Sequence, residues 1–63
     1  DVGVAGALER AVVYQAQGMV MVELGLPLAD ALARLRARAL AEGVSVEHVS
    51  RGVVEGTEDV GSW

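Results

Sequence analysis

The sequence predicts an all-α fold, a small three-helix bundle with a long first helix. Three observations predict it. Apolar residues recur at helical spacing in three successive segments. Glycines and a single proline fall at the ends of those segments. No stretch sustains the apolar–polar alternation of a strand, and no hairpin dipeptide joins two apolar runs.

The first helix is expected from Ala5 to about Leu24. Residues 1–8 hold a frayed lead-in, 1–4, and the start of this helix. Val4, Leu8, Ala11, Val12, Met19 and Val22 fall near one side of it. Val13, Ala16, Val20 and Leu24 fall near another. A helix apolar on two sides is either central or shared with a partner. Its middle, "VVYQAQGMVM", carries two glutamines and Gly18, and glycine there costs roughly 1 kcal/mol against alanine. Gly25 is suited to end the helix.

Pro27 fits the first turn of a second helix, expected to run to Glu42, because its missing N–H has no helical partner there anyway. Leu28, Ala31, Leu32, Leu35 and Ala39 form one buried stripe. Asp30, Arg34, Arg38 and Glu42 form an i, i+4 row on another face, each pair worth roughly 0.2–0.5 kcal/mol. Arg36 stands outside that row, beside the stripe. Gly43 ends the helix. Ser45 is a natural N-cap for a third, short helix, with Glu47 at its positive dipole end. Val46, Val49 and Val53 mark its apolar stripe, and Gly52 is small where that stripe would meet another helix. Residues 55–63, "EGTEDVGSW", read as a flexible acidic tail.

Composition narrows the function. With 63 residues and no Cys, the chain has no disulfide to staple it and no thiolate chemistry. Yet 52% of its residues are hydrophobic, more than so small a core easily hides. The excess points to a partner surface, most simply a second copy of the chain. No apolar run approaches the roughly 20 residues of a bilayer span, and no secretory signal is present, so a cytoplasmic setting is expected. One His and no Cys leave no plausible zinc site, and no nucleophile has a convergent base and acid. An enzyme is not expected, nor a cofactor or metal. Net charge is −4, but the acids are weighted toward the two ends, and residues 10–51 carry five Arg against four acids. A helix-turn-helix reading of the last two helices offers only His48 and Arg51 for base contacts, too few for DNA.

Three segments in order, "YQAQGMVM", "ADALARLRARA" and "VEHVSRGVV", resemble the ANTAR domain, the RNA-binding output module of bacterial transcription antitermination regulators. Arg10, Ala16, Gly18 and Met21 match the first motif. Ala31, Leu35, Arg36 and Ala39 match the second, and Val49 and Val53 the third. The match covers residues 9–54. Gln17 stands where the family typically has Lys, Leu32 where it has Phe, and Ser50 where it has Ala. The resemblance implies recognition of paired small RNA hairpin loops by a dimer, under a sensory or receiver domain upstream or on another protein. It implies an RNA surface carrying Arg10, Gln17, Gly18 and Arg36. Hairpin loops suit such a reader because their unstacked bases expose hydrogen-bonding edges. Tyr14 and Trp63 are the only aromatic residues that could stack on one. A second reading is a dimerisation or protein-interaction module that has lost RNA binding, since Gln17 removes a positive charge.

Overall fold

The computed structural model describes residues 2–63, apart from the side chains at positions 2 and 5. Three helices follow one another: α1 (Val2–Leu24), α2 (Leu28–Glu42) and α3 (Val46–Glu55), then a short 3₁₀ turn, η1 (Val60–Ser62). The all-α three-helix expectation is met, and no strand occurs among the described residues. The segment expected as a frayed lead-in is helical from Val2 onward, and Asp1 lies outside the described residues.

The helix ends follow from local chemistry. Gly25 takes φ +65°, a left-handed conformation that costs glycine little, and this lets the Leu26 N–H reach back 3.1 Å to the Met21 carbonyl. Pro27 stands one place earlier than expected, as the N-cap of α2 in extended conformation, and its carbonyl accepts from the Ala31 N–H at 3.0 Å. Gly43 closes α2. Ser45 caps α3, its hydroxyl oxygen accepting from the His48 N–H at 3.0 Å.

The core is thin, as its composition requires. Ala16 and Val20 of α1 meet Ala31, Leu35 and Ala39 of α2 and Val49 and Val53 of α3. Of the predicted α2 stripe, Leu28 is exposed, its side chain turned to solvent in the first turn. Leu35 is the largest fully buried side chain, so small residues let the helix axes approach closely. Ser50 is fully buried on α3, and its hydroxyl has no hydrogen-bond partner among the described residues. An unpaired buried hydroxyl costs on the order of 1–3 kcal/mol.

The segment expected as a flexible acidic tail is instead a folded strap. Gly56 ends α3 at φ +84°, and the Thr57 and Glu58 N–H groups both donate to the Gly52 carbonyl. The chain then turns back onto α1, buries Val60 in the core and lays Trp63 against it. Glu58 pairs with Arg38 across the α2–strap gap at 3.3 Å, and Arg38 also pairs with Glu42 within α2. Gly52 is small for this strap and not for another helix: a Cβ there would stand 2.8 Å from Glu58 Cγ. The tail reading failed because its apolar residues are isolated in sequence, and only the turn at Gly56 brings them to the core.

Candidate nucleic-acid interface

The inward stripe of α1, the side of α2 and the first turn of α3 leave a shallow groove between them, of about 230 Å³. Val13, Leu32 and Val46 line it with apolar surface. Arg10 and Tyr14 enter it from α1, Arg36 from α2, and Glu47 from the first turn of α3. Helical spacing sets the α1 contribution: Arg10, Val13, Tyr14 and Gln17 fall at i, i+3, i+4 and i+7. Tyr14 is 70% exposed and lines the groove together with both arginines.

Both arginines are exposed and neither makes an ion pair among the described residues. The positive ends of Arg34 and Arg51 lie elsewhere, and Arg38 is committed to Glu42 and Glu58. Glu47 is the one acid lining the groove. A second hollow, between α1 and the strap, is lined by Glu23, Glu58 and Asp59, a charge that repels phosphate. Of these surfaces, only the α1–α2–α3 groove joins free guanidinium groups to an exposed aromatic ring.

The four residues expected at an RNA surface separate. Arg10 and Arg36 both line the groove. Gln17 reaches its inner wall but is 6% exposed, and its Nε2 donates to the Leu28 carbonyl at 2.8 Å. That amide is a clasp between α1 and the start of α2, so its exposure to RNA is corrected to a structural tie. The cause is position: α2 begins beside it and presents a carbonyl within reach. Gly18 is not part of the groove. It is half-buried on a neighbouring side of α1, and a Cβ added there would meet nothing within 4 Å. Close packing within the chain is therefore not its role. Tyr14, Leu32, Val46 and Glu47 were not singled out as groove residues. The i+4 spacing of Tyr14 from Arg10 was the available signal for the first; the others depend on how the helices cross.

Among the described residues, no group of His, Cys, Asp or Glu is placed to hold a metal ion. Among the same residues, no helix is long and apolar enough to cross a membrane.

A sequence model of the ANTAR domain matches residues 5–54. The chain belongs to the ANTAR domain family. The match spans α1 from its second turn through nearly all of α3 and stops before the strap. The family is one of RNA-binding output domains of antitermination regulators, which agrees with a groove built from arginines and an aromatic ring. No curated protein and no solved structure matches this chain.

Proposed function

We propose that this ANTAR domain binds the loops of small RNA hairpins through the α1–α2–α3 groove, acting as a dimer in bacterial transcription antitermination. The setting is the cytoplasm, where nascent RNA is made, and the input comes from a sensory or receiver domain on the same or another chain. The observation that carries this reading is the convergence of two unpaired arginines and an exposed tyrosine on one groove. Arg10 and Arg36 hold backbone phosphates, which dominate affinity. Tyr14 offers a face on which an unstacked loop base rests, an interaction worth about 1–3 kcal/mol per base. Gln17, where relatives typically carry Lys, supplies no charge, so affinity rests on the two arginines.

The test is a gel shift with tandem hexaloop hairpins across a salt series. Binding at low salt is expected, with Arg36→Ala and Arg10→Ala each lowering the salt slope by about 1. Tyr14→Ala weakens loop binding with the slope unchanged. Absence of binding at low salt would sink the reading and leave the second one, a dimerisation module without RNA. The buried Gln17 clasp and the apolar exterior of α1 favour that alternative.

A further inference from the structure

The strap has two unequal parts. Its base, residues 56–58, is tied to the helices. The Thr57 and Glu58 N–H groups donate to the Gly52 carbonyl at 2.8 and 3.1 Å, the Thr57 hydroxyl donates to it at 3.3 Å, and Glu58 pairs with Arg38. Its tip, residues 59–63, is not tied in this way. Among the described residues, the hydrogen bonds of the tip stay within it. Ser62 donates to the Asp59 carbonyl from both its N–H and its hydroxyl, and the Trp63 N–H donates to the Val60 carbonyl. The tip therefore rests on the helices by packing, through Val60 and Trp63.

Two features oppose that packing. The Trp63 indole N–H is buried with no partner among the described residues, and it regains one from water when the ring leaves. The second is charge. A Cβ built on Gly61 would lie 3.5 Å from Glu23 Oε1 and 3.7 Å from Asp59 Oδ1, so the two carboxylates stand within about 7 Å of each other. Both line the hollow between α1 and the strap, and no ion pair compensates either among the described residues. The one cation paired in this region, Arg38, is held by Glu58 of the base and by Glu42.

We propose that the tip is a gate that opens about the base while α1, α2 and α3 stay folded, with ionic strength setting how far it is open. Opening gives up the burial of Val60 and Trp63 and no hydrogen bond to the helices. The ANTAR match ends at residue 54, so the three helices complete the domain pattern without the tip. The two ends of the motion present different surfaces. Closed, the hollow is rimmed by Glu23, Glu58 and Asp59. Open, Asp59 leaves with the tip, and Met19 and Val53, which line the hollow with Val60, turn toward water. One end of the molecule thus changes from acidic to more apolar. Salt acts through the Glu23–Asp59 repulsion. The screening length is about 8 Å at 0.15 M and about 30 Å at 0.01 M, so the push on the tip strengthens as salt falls. The apolar packing of Val60 and Trp63 has no such dependence. None of the hollow's residues lines the arginine groove, so the gate stands apart from the RNA reading.

Trp63 is the one tryptophan of the chain and reports on the tip alone. Acrylamide, an uncharged quencher, is titrated against its fluorescence at 10 and 150 mM sodium chloride, with helix content followed by circular dichroism at 222 nm. The expected result is stronger quenching at the lower salt with helix content unchanged. Glu23→Gln removes the repulsion, lowers the quenching and flattens its salt dependence. Val60→Ala removes two buried carbons, raises the open fraction about tenfold and raises the quenching, again with the helices intact. Helix content falling in step with the quenching in Val60→Ala would show the tip to be part of one cooperative unit and overturn the gate. Quenching in Glu23→Gln equal to that of the unaltered chain at both salts would overturn it as well. No RNA enters the measurement, so failure of the gate leaves the gel-shift result untouched.

Discussion

α1 and α2 contribute similar stripes to one core and have opposite exteriors. Inward, Ala16 and Val20 of α1 face Ala31, Leu35 and Ala39 of α2. Outward, α2 carries Asp30, Arg34, Arg36, Arg38 and Glu42 beside the exposed Leu28 and Leu40. The outward side of α1 has Val4, Leu8 and Val22 and no charge. The core alone therefore does not tell which helix is complete within the chain. The exterior separates them: the outward side of α2 is rich in charge and that of α1 is apolar.

Four substitutions break or sharpen this contrast. Leu35→Ala has the largest effect, costing about 2–5 kcal/mol. A domain of this size has only about 3–9 kcal/mol in hand, so urea denaturation followed by circular dichroism finds it largely unfolded or nearly so. A loss below 1 kcal/mol would show that the α1–α2–α3 core is not where stability lies. Gln17→Ala removes the clasp to α2 and leaves the Leu28 carbonyl one partner short, costing about 1–3 kcal/mol in the same measurement. No change there would return Gln17 to the RNA surface. Gly18→Ala acts in the other direction. With open space above it, the added methyl raises helix propensity and stabilises the monomer by about 0.5–1 kcal/mol. Val22→Ser has the smallest effect on the fold, under about 0.5 kcal/mol in dilute solution, yet it weakens self-association at high concentration. A fold that loses more than Leu35→Ala through Val22→Ser would invert the comparison.

The helices were legible in the sequence because their signals are local. Gly25, Gly43 and Ser45 act through their own backbone neighbours, and the stripe of Ala31, Leu35 and Ala39 repeats within a few turns. The two exteriors were legible for the same reason, since a helical wheel already separates Val4, Leu8 and Val22 from Ala16 and Val20. Within the groove, Arg10 and Arg36 came from the family resemblance, and the structure brings them to one surface. Gln17 was noticed as a polar residue among apolar ones, but its direction depends on where α2 begins, which no spacing within α1 encodes. The strap was not legible. Val60 and Trp63 are single apolar residues in a polar segment, and their burial exists only once α1 and α3 are side by side.

That strap limits which changes α3 can accept. In the full chain, Gly52→Ala pushes a methyl to 2.8 Å from Glu58 Cγ and forces the strap away from Arg38. In a chain ending at Gly56, the same change loses its three nearest neighbours, all in Thr57 and Glu58, and gains about 1 kcal/mol of helix propensity. One substitution thus changes sign with the presence of seven residues beyond it. An evolving sequence that acquired the strap would find alanine at position 52 closed to it, and one that lost the strap would find it open.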